Sequence, residues 1–299
     1  MTIWHDIQRE FREGNNLIKI IFINIAVFLI LNILQVLSWI FTGQQESGIY
    51  TFIISNIQTY ISVPKLIVKP WTLVTYMFTH VDFLHILFNM LWLYWMGKIF
   101  IDMLNGKRFV AIYILGGLTG AVFTIAAYYI LPHLSQYVPA EIPMIGASAS
   151  VLAIMTATAT YFPNYIVHLL FIGPVRIKYL VLAMVLLDII LIPGINSGGH
   201  IAHLGGALFG FIWASQIKKG TDISRWFMNI MDTIVTWTKP RKKITVSYSN
   251  PSSKSYSTKP TNAVTQQEID AILDKIAKNG YESLTAKEKE ILFTMSKKR

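Results

Sequence analysis

The sequence predicts an all-α integral membrane protein with six transmembrane helices. Three observations lead there. First, the chain is 53% hydrophobic and only 14% charged, with a mean hydropathy of +0.47 over 299 residues. Several of its segments are long and nearly charge-free, as spanning helices are. Second, the lysines and arginines sit beside the apolar segments on alternate sides, the pattern of cytoplasmic flanks. Third, there are no cysteines, which excludes disulfides and thiolate metal sites. The net charge of +10 is explained by these flanks and a basic tail, so it carries no argument for nucleic-acid binding.

The spans follow in order. The first runs from about Leu17 to Phe41. A polar and aromatic segment comes next, with apolar pieces too short to cross alone. The second span is Phe83 to Met103 and the third Phe109 to Leu131. The fourth is Gly146 to Tyr161, the fifth Tyr179 to Ile192 and the sixth His200 to Ile217. The last three fall short of the roughly 20 residues a bilayer needs. Short spans that open on polar residues are expected to begin below the membrane surface, enclosed by protein or by a wet cavity.

Arg9, Arg12 and Lys19 lie by span one, Lys98, Lys107 and Arg108 between spans two and three, Arg176 and Lys178 between four and five, and Lys218, Lys219 and Arg225 after six. The opposite side has only Lys65 and Lys69. Both termini are therefore expected in the cytoplasm, and the starts of spans four and six on the exterior side. Residues 1–16 read as an amphipathic cytoplasmic start and residues 17–217 as the six-span domain. Residues 218–238 carry Ile223, Trp226, Phe227, Ile230 and Ile234 at helical spacing, the mark of a helix lying in the interface plane. Residues 239–264 are rich in Ser, Lys, Thr and Pro and read as a flexible linker. Residues 265–299 read as a small helical region, with capping boxes at Thr265–Glu268 and Thr285–Glu288 and a stop at Gly280.

Ionisable and polar groups inside a membrane are costly and are functional candidates by default. His85 and Asn89 lie four apart on one face of span two. They can donate to one oxygen, or serve as bonds between helices. In span six, His203, Gly206 and Gly210 share one stripe, and the glycines allow a second backbone to approach. Span four offers a matching small surface at Gly146, Ala149, Ala153 and Ala157, with Ser148 at its opening. A serine hydroxyl reaches only a short way, so a bond from Ser148 to His203 needs that close approach. Ser150 is a rival nucleophile and His200 a rival histidine. Asp188 either tunes a histidine, His200 included, or is a satisfied acid between helices.

At these residues the chain resembles the rhomboid family of intramembrane serine proteases. "GASAS" (146–150), "HILFN" (85–89) and "AHLGGALFG" (202–210) are similar to the family's nucleophile, oxyanion and base motifs, in order, over about Trp71 to Ile217. The resemblance implies a rhomboid-like bundle of six helices, with Ser148 as nucleophile and His203 as general base. It implies His85, Asn89 and the Ser148 backbone N–H as oxyanion donors, with Gly146, Gly206 and Gly210 in support. It implies no cofactor and no metal. The substrate class is single-span membrane proteins, cut through an acyl-enzyme. The tail resembles extensions on rhomboids of some bacterial groups, which implies a bacterial inner membrane. Two positions depart from the family pattern. Thr72 follows Trp71 where an arginine is frequent, so the first loop should bond differently. Leu152 stands where some members place an aromatic on the histidine, so the imidazole must be oriented by something else. The competing class is a non-catalytic rhomboid-like protein that binds or chaperones transmembrane segments. A small transporter is disfavoured, since no inverted repeat is apparent.

Overall fold

The computed structural model describes residues 14–43, 48–138, 142–169, 172–194, 196–238 and 266–296. The amphipathic start, the linker and the Thr265 capping box lie outside the described residues. The chain divides into two units, Met1–Pro240 and Arg241–Arg299.

In the first unit, Asn15 caps α1 (Asn16–Thr42) by accepting from the Ile18 N–H. The first loop holds α2 (Gly48–Ile57), β1 (Thr59–Tyr60), α3 (Val63–Val68), α4 (Thr72–Thr75) and a 3-10 turn, Tyr76–Phe78. Asp82 then caps α5 (Phe83–Leu104). Asn105 caps α6 (Gly106–Ile130) through both the Lys107 and Arg108 N–H groups. The short α7 (Pro132–Ser135) and β2 (Pro143–Met144) lead to α8 (Ser148–Tyr161). A hairpin of β3 (Ile166–Leu169) and β4 (Gly173–Arg176) precedes α9 (Ile177–Leu191) and α10 (Ser197–Lys218), and α11 is Arg225–Thr238. Three of these helices, α1, α5 and α6, are long and apolar enough by length and composition to cross a membrane.

The third apolar helix starts at Gly106 rather than Phe109 because Asn105 caps it, and the fifth at Ile177 rather than Tyr179; two further differences bear on the site. The fourth apolar helix starts at Ser148, not Gly146, because Gly146 has φ +114° and cannot continue a helix. The sixth starts a turn earlier than His200, at Ser197, because Asn196 caps it by accepting from the Gly199 N–H.

The 14-residue α8 is about 21 Å long, well under the ~30 Å of a hydrocarbon core. It is the innermost helix, with Ala149, Ala153 and Ala157 all at 2% exposure or less. Small residues bring its neighbours in. A Cβ on Gly206 would collide with the Ala149 carbonyl oxygen, and one on Gly210 with that of Ala153. A Cβ on Gly120 of α6 would lie 2.6 Å from the Ala149 Cβ and 2.8 Å from the Ala202 carbonyl oxygen. Helices α6, α8 and α10 thus meet backbone to backbone. At the far end, Arg108 Nε pairs with Asp222 Oδ2 at 2.8 Å, and Trp213 donates to Ser224. Burial pushes the Asp222 carboxyl up, but the Ser224 and Arg108 bonds outweigh it and hold it below the usual carboxylate range.

The first loop is bonded to itself and to the bundle. The Thr72 hydroxyl donates to the Lys69 carbonyl (2.7 Å), the Trp71 indole to Asn56, and Thr75 to Ile57. Tyr76 donates to the Gly117 carbonyl and Tyr113 to that of Met77. Thr72, at the position where the sequence departs from the family pattern, is thus bonded within the loop.

Along α11, Trp226, Ile230, Ile234 and Trp237 are all exposed, leaving an apolar face uncovered by the first unit. In the second unit, α12 (Gln266–Asn279) and α13 (Ala286–Ser296) join through a 3-10 turn, Tyr281–Ser283. Gly280 ends α12 at φ +75°. The Thr285 N–H and hydroxyl both donate to Glu288, which also receives Lys275. These bonds, the Thr285 backbone first, lower the Glu288 carboxyl to about 2.

Because the Gly206 contact is to backbone, its neighbour has no side chain to turn aside. Gly206→Ala should destabilise the protein by about 1–3 kcal/mol, the usual cost of overpacking, and Gly206→Val by more. Thermal unfolding in detergent checks this, and an unchanged midpoint in both variants would refute the packing account.

Candidate active site

The uncapped end of α8 carries the site. Ala147 precedes the helix without a side-chain bond to it. The first N–H groups of α8 therefore lack the partner that an Asn or Asp supplies at α1, α5, α6 and α10. They face a cavity of about 700 Å³ lined by His85, Asn89, Gly146, Ser148, Leu152, Asp188 and His203, among others. A helix N-terminus with open N–H groups favours negative charge.

The approach to Ser148 is pinned from two sides. β1 pairs with β2 in the register Thr59 with Met144 and Tyr60 with Pro143. The Gly146 N–H then donates to the Tyr76 carbonyl (2.9 Å), and the Ala147 N–H to His80 Nε2 (3.2 Å). His80 supports the first loop rather than lining the cavity. Its Nε2 accepts, so Nδ1 carries the proton and the ring is neutral. Burial, and then the neighbouring His85 imidazole (ring centroids 5.0 Å apart), push its pKa from 6.5 down to about 3. The Phe78 backbone opposes the shift without closing a hydrogen bond on Nδ1.

Gly146 is required twice over. Its φ is left-handed, and a Cβ there would lie 2.6 Å from His85 Cε1. The His85 ring therefore lies against the turn that leads into Ser148. Asn89 is 6% exposed and donates through Nδ2 to the His85 carbonyl at 2.9 Å. An amide nitrogen has two protons, so one remains.

His203 lies one turn before Gly206, where α10 and α8 touch. Its Nδ1 is 2.8 Å from Asp188 Oδ1. Asp188 comes from α9 and is 8% exposed. A carboxylate only accepts, so the proton is on Nδ1 and Nε2 has the free lone pair. This supplies the orientation that Leu152, buried at 3%, does not. His200 Nδ1 also reaches Asp188 Oδ1 at 2.8 Å, so one oxygen receives two imidazoles. Asp188 thus touches both histidines from the facing helix. It is a satisfied acid between helices, and it holds both histidines.

The rivals separate by position. Ser148 and His203 line the cavity; Ser150 and His200 do not. Ser150 is fully buried against Met77 and Gly117, and its hydroxyl has no partner among the described residues. No hydrogen bond joins Ser148 Oγ to His203 in this structure. The Tyr76 carbonyl and the Ala147 N–H, which set the nucleophile turn, left no sequence signal, because backbone groups belong to every residue.

Residues 68–219, just over half of the chain, match the model of the Rhomboid domain. The chain belongs to the rhomboid family. As a rhomboid-family chain it is an integral membrane protein with an all-α bundle. Residues 259–298 match a second model, the Family of unknown function (DUF6576). Among curated relatives, RHOMBOID-like protein 12, mitochondrial, from Arabidopsis thaliana is 32% identical over 157 residues, 50% of this chain and 47% of that one. Presenilin-associated rhomboid-like protein A, mitochondrial, from Danio rerio is 29% identical over 139 residues, 46% of this chain and 34% of that one. The Bos taurus presenilin-associated rhomboid-like protein, mitochondrial, is 28% identical over 152 residues, 50% and 38%. The chain thus aligns with about a third to a half of the length of these relatives.

The His80 shift gives a pH prediction. A ring with a folded pKa near 3 and an unfolded value near 6.5 contributes stability that is complete above 6.5 and is lost as pH falls toward 3. Wild type should lose thermal stability over that window, and His80→Asn should lose less of it. Equal slopes for the two proteins, followed by unfolding midpoints from pH 7.5 to 4, would rule His80 out as the source.

Proposed function

We propose that the protein is an intramembrane serine endopeptidase that cuts transmembrane segments. The observation that carries this reading is Ser148 at an uncapped helix start, sharing one cavity with a His203 whose Nε2 is left free by Asp188. Ser148 Oγ attacks the scissile carbonyl carbon while His203 Nε2 takes its proton. The oxyanion accepts from the Ser148 N–H, the spare Asn89 proton and His85. The C–N bond then breaks, and His203 returns the proton to the leaving amine. Water attacks the acyl-enzyme by the same route, leaving Ser148 as it began. Asp188 is a positioning residue, since it fixes the tautomer of the base. The missing Ser148–His203 bond is one that closes as substrate arrives; catalytic bonds are often long in unliganded sites. That same gap favours the second reading, a rhomboid-like protein that binds transmembrane segments without cutting them.

The substrate must be unwound at the cavity, because lipid cannot satisfy freed backbone groups. Segments with helix-weakening glycine or proline near the site should be preferred. We further propose six spans with the basic loops and both termini on the cytoplasmic side of a bacterial inner membrane. In this arrangement residues 17–217 form the protease domain, α11 lies in the interface plane, residues 239–264 act as a linker and residues 265–299 as a cytoplasmic helical region. The bulk charge pattern supports the orientation, and the exposed apolar face of α11 supports its placement.

Purified protein should react with a fluorophosphonate probe. Ser148→Ala and His203→Ala should lose labelling, while Ser150→Ala and His200→Ala keep a measurable signal. Asn89→Ala should slow peptide cleavage about 10²–10³-fold, the usual cost of one oxyanion donor. Asp188→Asn should lower kcat with little change in KM, and Asp188→Glu should restore part of it. A folded wild type that neither labels nor cuts would favour the binding protein. Orientation is open to a clean test, because the chain has no native cysteine. Single cysteines at Lys107 and Lys178 should react with impermeant maleimide only from the cytoplasmic side, and one at Lys65 only from the other.

A further inference from the structure

The cluster around Asp188 holds more polar groups than the proposed chemistry uses. His200 does not line the cavity and has no step in the mechanism, yet it is bonded to the same oxygen as the base. His200 and His203 stand three apart on α10, and Asp188 faces them from α9. Both Nδ1 atoms are 2.8 Å from Asp188 Oδ1, and one ligand atom from each of the three residues lies within 4.8 Å of the other two. Two imidazoles one turn apart, plus a carboxylate from a facing helix, form a common metal ligand set. Zinc bonds of ~2.0–2.2 Å require ligand atoms about this close together. With both rings neutral the cluster has one negative charge. The side chains are between 12% and 23% exposed, and Asp188 and His203 line the cavity, which gives an ion a route to the cluster.

We propose that Asp188, His200 and His203 form an inhibitory site for a zinc-type divalent transition-metal ion. The metal takes the place now held by two Nδ1 protons. Zinc binding displaces the Nδ1 proton of each neutral ring to its own Nε2, and two Zn–N bonds form where two N–H donors stood. The proton that arrives on His203 Nε2 removes the lone pair meant for Ser148. Zinc therefore disarms the base without touching the nucleophile. Magnesium, a hard ion that prefers oxygen and water, does not compete. The inhibitory half of this proposal rests on the protease reading; the binding half does not.

The test uses the full chain in detergent after EDTA treatment, with two readouts. Calorimetric titration with ZnCl2 should show one ion per chain in wild type and in Ser148→Ala. His200→Ala and Asp188→Ala should weaken it about 100-fold or more, at or above the upper end of what even outer-shell changes cost. His200→Cys, which keeps a ligand at that position, should retain it, so a loss in His200→Ala is not misfolding alone. Fluorophosphonate labelling of wild type should disappear with zinc, return with EDTA and ignore magnesium. In His200→Ala, labelling should no longer respond to zinc, whatever its zinc-free rate. No isotherm in wild type, or one unchanged in His200→Ala, overturns the site. Labelling in His200→Ala that zinc still abolishes overturns it too, by placing the ion elsewhere. A wild type that never labels, even in EDTA, overturns the protease reading and with it the inhibitory half, and the isotherms still decide the binding site.

Discussion

The structure depends on one constraint. The uncapped start of a short, buried helix must be enclosed by protein. Each uncapped N–H there would be costly against hydrocarbon. Enclosure is the solution, and it needs helices that approach without side chains between them. Gly120, Gly206 and Gly210 supply that approach against Ala149 and Ala153. The same closeness sets His203 beside the start of α8, so packing and site geometry are a single property. A larger residue in this seam would move His203 as well as loosen the bundle.

A second layer holds the turn that leads into Ser148. Its backbone is tied to Tyr76 and His80, and those residues are tied into α6 through Tyr76 and Tyr113. The first loop is therefore a brace for the site. Its short helices and threonine bonds explain why it can do so without the arginine frequent in the family. Asp188 resolves the other departure. Leu152 offers no aromatic face for the imidazole, and a buried carboxylate on α9 holds it from the opposite side. A hydrogen bond fixes a tautomer as well as a position, which a stacked ring cannot do.

Sharing Asp188 between two histidines has a cost and a consequence. A carboxylate buried between helices must be satisfied, and two N–H donors satisfy it well. The arrangement also joins a histidine that lines the cavity to one that does not. Both are held by the same carboxylate oxygen.

The sequence by itself determined the all-α membrane class, the helices carrying Asn89, Ser148 and His203, and the small-residue stripes that allow them to meet. These follow from composition, periodicity and spacing, which act locally along the chain. The Thr285 capping box was legible for the same reason. It could not determine where α8 begins, because that turns on the left-handed φ of Gly146 and its contact with His85. Spacing favoured His203, with glycines three and seven residues on, and Ser148, at the helix opening, but it could not show which side chains share a space. Only the tertiary structure did so, by placing Ser148 and His203 on one cavity while Ser150 is buried and His200 stands outside its lining. The role of Asp188 belongs to the structure too. An acid 12 residues from one histidine and 15 from the other has no pattern to read until two helices bring one oxygen to both.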